Sequence, residues 1–275
     1  MKHTIKKQIT LIIIFLISYN YVYSQCYTKN TSFKTGEKIT YDVYYNWAFI
    51  WLNAGEVYFK VGLKKYNNKP VYHFESFGRT HEKYDWIFKV RDKYETIADT
   101  NTFNPLIFKR NTYEGGYYVK NKYYFDHSEN KIFTFTENTK KSYTQDTLAL
   151  PKCTFDVLTT IYYSRNIDYS KHNINDKIPL SLIIDNEVFD LYIKYLGKDT
   201  IKTKDGIIYN CIKFKPLLVE GTIFSGGENM TVWVSDDENK IPILVEAKIL
   251  VGTVKAFLTD YENIRYELEF SKQDE

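Results

Sequence analysis

Residues 38–47, KITYDVYYNW, carry the pattern that decides the fold. Every second residue in this stretch is large and either aliphatic or aromatic: Ile39, Tyr41, Val43, Tyr45 and Trp47. The residues between them are mostly polar. Because successive side chains point to opposite faces of a strand, this period of two predicts a strand with one buried face.

The same alternation recurs along the chain and is punctuated by turn residues. The strongest hairpin signal is Gly115-Gly116 between residues 106–114 and 117–125, because both glycines accept positive φ. Consecutive hairpins predict an antiparallel sheet rather than alternating strands and helices. Further strands are predicted at residues 56–61, 71–77, 180–184, 188–195, 200–203, 207–214, 230–234, 241–250, 253–261 and 266–270.

One segment near the middle of the chain breaks the β pattern. Thr154 is a suitable N-cap, and Asp156 would lie in the first turn, where its charge favours the helix dipole. Apolar residues then recur at helical spacing, which predicts a helix over about residues 154–165. A linker between two domains is disfavoured, because the segment is apolar and no Gly-, Pro- or Ser-rich stretch flanks it.

These patterns together predict a mainly β fold. We expect a large curved antiparallel sheet or open β-barrel, with the one central helix packed against its concave side. We expect residues 36–271 to form this single β-rich domain, and residues 25–35 to form an N-terminal tail.

The N-terminus has the features of a signal peptide. Three lysines precede an apolar run at residues 9–17, which is shorter than the roughly 20 residues of a membrane span. Val22 and Ser24 suit signal peptidase, so we expect residues 1–24 to be removed and the protein to be periplasmic or associated with the cell envelope. An uncleaved anchor and lipidation of Cys26 are the alternatives, although Gln25 stands where a lipidation motif has a small residue.

The charge balance argues against some classes of partner. The whole chain has 37 Lys and Arg residues and 34 Asp and Glu residues. Residues 1–24 contain three of the lysines and no acidic residue, so the mature chain would carry equal numbers of both signs. A balanced charge gives no electrostatic reason to expect nucleic acid or an anionic membrane surface as a partner.

The chain has three cysteines, Cys26, Cys153 and Cys211. An exported protein encounters conditions in which disulfides form. Pairing of Cys153 with Cys211 is one prediction, since Cys26 falls in the predicted tail, and three free thiols are the alternative.

Four motifs along the chain carry a resemblance to a known family. In chain order they are Gly36-Glu37-Lys38-Ile39-Thr40-Tyr41 with Ala54-Gly55-Glu56, Phe155-Asp156-Val157-Leu158 through Tyr162-Tyr163-Ser164-Arg165, Val232-Trp233-Val234-Ser235-Asp236-Asp237 with Ile241-Pro242, and Gly252-Thr253-Val254-Lys255-Ala256. They resemble the motifs of one exported bacterial family, DUF3108, a domain of unknown function. The resemblance covers roughly residues 33–270 and implies an envelope-facing β protein of uncharacterised function, with no established catalytic residues to carry over.

No group of residues has the pattern of a catalytic, cofactor or metal site. His73, Glu75 and His81 could supply metal ligands, but polar residues on a solvated face are the favoured interpretation. Ser225 lacks the preceding glycine of a nucleophile elbow. Arg165 either pairs with a buried carboxylate or, as we prefer, is a cation at a helix C-terminus. We therefore expect a protein that is not an enzyme and has no cofactor.

The excess of aromatic residues is the remaining functional signal, with 26 Tyr and 18 Phe. If the sheet curves, rings on its strands could line an apolar cavity; an ordinary core is the alternative. The predicted function is binding of a hydrophobic or amphipathic molecule such as a lipid. The alternatives are an interaction module for an envelope protein or glycan and, less favoured, a hydrolase. The candidate ligand-binding residues are Tyr41, Tyr45, Trp47, Phe59, Trp86, Phe88 and Trp233.

Overall fold

The fold is built almost entirely from strands that follow one another as hairpins. The structure, a computed structural model, describes residues 28–47, 50–203, 206–220, 225–249 and 252–272. The predicted signal peptide therefore lies outside the described residues, as does Cys26.

Eighteen strands and two short helices are present in this part of the chain. Short 3-10 turns lie at Glu82–Tyr84 and Tyr169–Lys171, and the helices are α1 (Asp85–Phe88) and α2 (Val157–Ser164). The strands are β1 (Lys38–Trp47), β2 (Ile50–Tyr66), β3 (Lys69–Thr80), β4 (Val90–Asp99), β5 (Pro105–Glu114), β6 (Tyr117–Asp126), β7 (Lys131–Asn138), β8 (Thr144–Ala149), β9 (Thr154–Phe155), β10 (Lys177–Ile184), β11 (Glu187–Lys202), β12 (Ile207–Pro216), β13 (Leu218–Glu220), β14 (Ser225–Gly227), β15 (Met230–Ser235), β16 (Pro242–Lys248), β17 (Thr253–Glu262) and β18 (Ser271–Lys272).

One sheet contains sixteen of the strands, in the order β8-β7-β6-β5-β4-β3-β2-β1-β17-β16-β15-β12-β11-β10-β9, with β18 paired to β12. All neighbours are antiparallel except β9 and β10. The pairing of β1 with β17 joins the two halves of the chain. The sheet is not closed, because β8 and β9 form its two edges within the described residues. The predicted curved antiparallel sheet with one central helix is confirmed.

Tight turns set the register of the hairpins. Gly115 and Gly116 have φ of 57° and 97°, which confirms the predicted β5–β6 hairpin. Asn67-Asn68 and Asp185-Asn186 adopt positive φ in the same way. Asn and Asp tolerate this left-handed conformation better than other residues with a side chain, so the sequence itself marks these turns.

Helix α2 lies in the connection between the parallel neighbours β9 and β10 and begins later than predicted. Its N-cap is Asp156, whose carboxylate accepts hydrogen bonds from the backbone N–H groups of Leu158 and Thr159 at 2.9 and 3.1 Å. The predicted N-cap Thr154 is wrong, because that residue belongs to β9 and pairs with β10. Thr96 of β4 donates to Asp156 at 2.7 Å and so fixes the helix against the sheet.

Rings fill the space between α2 and the sheet. Tyr162 stacks on Phe74 of β3 at 4.1 Å between ring centres, and Phe33 meets the same tyrosine edge-on at 5.0 Å. Phe33 is fully buried. Residues 28–35, which fall in the predicted tail, therefore contribute to the core. Burial of one large ring contributes about 1.5–3 kcal/mol of transfer free energy.

The C-terminus of α2 is held by a buried ion pair that the preferred sequence interpretation missed. Arg165 is 2% exposed and donates to both carboxylate oxygens of Glu37, at 2.6 and 3.0 Å. Its guanidinium also donates to the carbonyl oxygens of Asn239 and Ser32. The alternative interpretation, a buried carboxylate partner, is the one that the structure confirms.

The predicted pairing of Cys153 with Cys211 is wrong. Cys153 is disulfide-bonded, whereas Cys211 is free and buried. The two residues border different hydrophobic clusters, Cys153 beside that of α2 and Cys211 with Tyr209 and Leu268. Burial raises the pKa of the Cys211 thiol to about 12, so this side chain is protonated and inert at neutral pH.

Candidate ligand pocket and its apolar rim

An apolar pocket lies between the first turns of α2 and the concave face of β1–β4. Val57, Gly78 and Asp92 form one cross-strand row on β2, β3 and β4, and Phe59, Ser76 and Tyr94 form the next. Residues directly opposite one another share a face of the sheet, so both rows face the helix. The pocket has a volume of ≈ 360 Å³. It is lined mainly by Val43, Val57, Phe59, Val90, Tyr94, Val157, Leu158 and Ile161.

The volume of this pocket lies near the lower end of the range of roughly 300–1,000 Å³ that ligand sites occupy. A pocket of this size, near the lower end of that range, suits one acyl chain or a small amphipathic molecule.

Small residues on β3 create the space. A Cβ built at Gly78 would meet Val57 Cγ2 at 3.6 Å, which is ordinary van der Waals contact, so a side chain at this position would extend into the pocket. Gly55 is different, because a Cβ there would lie 2.2 Å from the backbone oxygen of Arg79. The first glycine leaves a gap, whereas the second permits two backbones to approach closely.

One side of the pocket is polar. Asp92 lines it and is hydrogen-bonded to the buried carboxyl group of Glu114. Burial and the neighbouring Glu114 raise the pKa of Asp92 to about 7. Asp92 therefore keeps its proton up to about neutral pH, beside an otherwise apolar wall.

Large apolar side chains are exposed at the end of the sheet where the pocket opens. Trp86 is 82% exposed, and Ile87 and Phe88 beside it on α1 are also exposed. Ile50 and Trp51 at the start of β2 add to this group. These five residues are called the apolar rim below.

Hydrogen bonds hold the two parts of the apolar rim together. The backbone N–H of His81 donates to the carbonyl oxygen of Ala54 at 2.9 Å, and the His81 ring lies 3.1 Å from Asn53 Oδ1. These contacts place the β3–β4 connection beside the β1–β2 hairpin. Ala54, Thr80 and Val90, which adjoin the two segments, also line the pocket, so pocket and rim are continuous.

The structure disperses the seven predicted ligand-binding residues. Phe59 lines the pocket, and Tyr41 is buried behind it, edge-on at 5.9 Å between ring centres. Trp86 and Phe88 belong to the rim. Tyr45 is half-buried near Gly252, and the side chain of Trp47 lies outside what the structure describes.

Trp233 lies on the opposite, convex face. Across the strands, Trp233 lies opposite Leu244, Leu244 opposite Phe257, and Phe257 opposite Asp42. Asp42 in turn lies opposite Glu56, which is adjacent in the chain to the concave residue Val57 and therefore points to the other face. The indole N–H of Trp233 donates to Asp199 at 2.9 Å. Sequence reasoning also missed the pocket residues Gly78 and Leu158, although the alternation of β3 and the helical face of α2 carried a signal for both.

A His and two carboxylates meet on the convex face, but not in the predicted combination. His73, Glu75 and Glu95 have ligand atoms within 4.8 Å of one another, whereas His81 bonds to Asn53 instead. Tyr58 donates to Glu75 at 2.9 Å, and Lys93 pairs with Glu95 at 3.3 Å. These partners are those of a polar surface cluster.

A second, polar cleft of ≈ 450 Å³ lies between β5–β8 and the β10–β11 turn. Arg110, Asn121 and Asp146 line it, together with Asp185 and Asn186 of the turn. Arg110 donates to Asp185 at 2.7 Å, and Asn186 donates to Asp146 at 3.0 Å. Its lining can form hydrogen bonds with a polar ligand but offers little apolar contact.

Comparisons with known proteins identify the family of the chain and a solved structure with a similar fold. No curated protein matches the chain. Among solved structures, the fold is similar to that of a β-barrel-like protein of the domain of unknown function DUF1849 from Brucella abortus, with a TM-score of 0.54 and 9% identity over 86% of this chain and 100% of that chain. At this identity the likeness extends to the fold alone.

In the part of the chain that the structure describes, no helix has the length and hydropathy needed to cross a membrane. The sequence profile of the family described as protein of unknown function (DUF3108) matches residues 40–259. That span contains most of the sheet, the whole of α2 and the pocket, and it confirms the resemblance seen in the sequence. The chain therefore belongs to the DUF3108 family.

Proposed function

We propose that this protein is a non-enzymatic binding protein whose pocket takes the apolar part of an amphipathic molecule such as a lipid. The observation that carries the proposal is the gap at Gly78, where apolar residues of β1–β4 and α2 surround unfilled space that opens to one end of the sheet. Well-packed interiors contain few voids of this size.

The pocket lining supports an acyl chain better than a polar ligand. Side chains of Val57, Phe59, Leu158 and Ile161 offer no hydrogen bond, so the driving force is removal of apolar surface from water. The Asp92–Glu114 pair gives the opposite side of the pocket a site for a hydrogen-bonding head group.

The proposed place of action is outside the cytoplasm, in the periplasm or cell envelope. The basic N-terminus, its short apolar run and Ser24 support this part of the proposal. Fractionation of cells and N-terminal sequencing of the protein test it. A mature chain that begins at Gln25 is expected, and an intact Met1 in a cytoplasmic fraction would contradict it.

A chain-length series of fluorescent fatty-acid analogues tests the pocket directly. Burial of one methylene contributes about 0.8 kcal/mol, so the affinity should rise about fourfold per added methylene until the pocket is full and then level off. Binding that is absent for the whole series, or independent of chain length, would overturn the proposal.

Two glycine variants provide a matched pair for this measurement. Gly78→Leu places a side chain in the pocket, whereas Gly62→Leu places the same side chain on the convex face, where a Cβ meets only His73 at 3.6 Å or more. Gly78→Leu should weaken probe binding at least tenfold, and Gly62→Leu should leave it unchanged.

The polar cleft beside Arg110 favours a second candidate, binding of a glycan. Its amide and carboxylate side chains suit sugar hydroxyl groups. Calorimetric titration with envelope oligosaccharides tests this candidate, with Asn121→Ala as the variant that should lose the signal. Unchanged binding by that variant would count against it.

A further inference from the structure

We propose that the apolar rim docks onto the surface of an anionic lipid bilayer, with the pocket facing the membrane. This inference deepens the proposed function, on which it rests for the identity of the cargo. The contact itself depends only on the rim, so it can be tested without any ligand in the pocket.

Hydrogen bonds at the base of the β3–β4 connection hold the rim in its exposed position. Asp85 accepts from Thr80 at 2.7 Å and from Arg91 at 2.6 Å, and these bonds fix both ends of the β3–β4 connection. The indole N–H of Trp86 donates to the carbonyl oxygen of Lys83 at 3.0 Å. The connection is therefore anchored at its base while it presents Trp86 to solvent.

The side chains of the rim are of the types that suit a membrane interface. Tryptophan combines an apolar ring with an N–H donor and is enriched where proteins meet the head-group region of membranes. Trp51 follows Ile50 in the chain and Trp86 precedes Ile87, and all four side chains are exposed. Such a group can bury its apolar atoms among acyl chains while the indoles remain at the interface.

Exposed lysines surround the rim. Lys83 and Lys89 flank the exposed residues of α1, and Lys248 ends β16 at the same end of the sheet. All three are exposed, and none forms an ion pair with a described residue. The nearby acids Asp85 and Glu246 are paired with Arg91 and Lys255. The exposed Glu82 beside Lys83 offsets one of the three lysines, so the surroundings of the rim keep a net positive charge.

The charge around the rim therefore departs from the equal numbers of acidic and basic residues predicted for the mature chain. Exposed lysines attract phosphate groups of anionic lipids, at roughly 1 kcal/mol for each residue near the surface. The Lys255 ammonium lies 4.9 Å from the ring centre of Trp51, and its charge is balanced by Glu246. A surface with this combination of apolar side chains and lysines is complementary to an anionic bilayer.

The pocket lies directly next to the rim. Thr80 and Val90 lie at the two ends of the connection that carries the rim, and both line the pocket. A bilayer in contact with the rim would provide a continuous apolar path for an acyl chain. A tightly bound protein on this surface would instead cover the opening, so the geometry favours lipid as the occupant.

Flotation with vesicles tests the inference, with phosphatidylcholine alone and with phosphatidylcholine mixed with phosphatidylglycerol. The wild-type protein should float with both and more strongly with the mixed vesicles. The Ile50→Ser, Trp86→Ser double variant should bind at least tenfold more weakly. Lys83→Gln with Lys89→Gln should lose the preference for phosphatidylglycerol, by about fivefold for each lysine.

A matched control separates the rim from exposed apolar side chains in general. Ile174 lies outside the rim and is 64% exposed, against 63% for Ile50. Ile174→Ser should bind vesicles as the wild type does. Circular dichroism and thermal unfolding establish that each variant is folded, which is expected because all the substituted side chains are exposed.

The outcomes distinguish the rim from the pocket. Gly78→Leu should still float, and the rim variants should still bind the fatty-acid probe. Failure of the wild type to float, or flotation of the double rim variant at the wild-type level, overturns the membrane contact whatever the probe shows. Absence of flotation together with rim-dependent capture of a protein would assign this surface to a protein partner instead.

Discussion

The two ends of helix α2 face the same sheet but meet very different surroundings. At the C-terminal end, Arg165 is paired with Glu37, and the rings of Phe33, Phe74 and Tyr162 fill the interior. At the N-terminal end, Val157 and Ile161 face the pocket, which they line together with Phe59 and Tyr94. One helix thus separates a closed region from an open one.

The difference follows from the side chains that the sheet presents. Opposite Tyr162 stands Phe74, whereas towards the N-terminal end β3 presents Ser76 and then Gly78 on the same face. Unfilled space costs stability. The small residues of β3 therefore create the open region, since the helix presents apolar side chains to the sheet at both of its ends.

The largest effect is expected from breaking the closed region. Glu37→Gln leaves the Arg165 guanidinium buried without its charge partner and should lower the free energy of unfolding by about 3–5 kcal/mol. Denaturant unfolding measures it. Glu262→Gln, which breaks the exposed pair with Lys38, is the control and should have little effect. Similar losses for both variants would contradict the proposed importance of the buried pair.

A pH-dependent effect is expected from the polar side of the pocket. The pKa of Asp92 is about 7 in the folded protein and about 4 in the unfolded chain. The unfolded chain therefore loses its proton first as the pH rises. Stability should be highest below about pH 4, fall between pH 4 and 7 by up to a few kcal/mol, and level off above pH 7.

Asp92→Asn removes this titration and keeps a hydrogen-bond donor for Glu114. Unfolding of the variant should depend less on pH between about 4 and 7, and the variant should be more stable than the wild type above pH 7. Asp260→Asn, at an exposed position of β17, serves as the control for loss of a carboxylate. Parallel pH profiles of Asp92→Asn and the wild type would show that the pair does not titrate in this range.

Two glycines of the open region should respond oppositely to alanine. Gly55→Ala forces a Cβ against a backbone oxygen and should cost about 1–3 kcal/mol of unfolding free energy. Gly78→Ala meets only ordinary contacts and should be neutral or stabilising by up to about 1 kcal/mol. Thermal unfolding of both variants makes the comparison, and equal destabilisation would mean that no free space exists at Gly78.

The local patterns of the fold could be predicted from the sequence. Alternation in residues 38–47 and the turn at Gly115-Gly116 depend on neighbouring residues, so they are visible without the structure. The start of α2 was missed by three residues, because Thr154 pairs with β10 and the better N-cap, Asp156, stands two residues later. Such a competition depends on a strand that is distant in sequence.

Long-range partners could not be predicted. Glu37 and Arg165 are separated by 128 residues, and no local pattern joins them. Burial of Phe33 and the state of Cys153 depend likewise on how distant segments meet. Aromatic content indicated Phe59 in the pocket, but it could not separate a lining ring from the exposed Trp86 or show that a missing side chain at Gly78 creates the space.

The central claim is that an acyl chain occupies the space between β3 and the start of α2. A spin-labelled fatty acid added to methyl-labelled protein tests it by paramagnetic broadening of NMR signals. The methyl groups of Val57, Leu158 and Ile161 should broaden, whereas those of Ile132 and Leu148, on β7 and β8 at the far edge of the sheet, should not. Broadening confined to the apolar rim, or absent from all three pocket residues, would contradict the account.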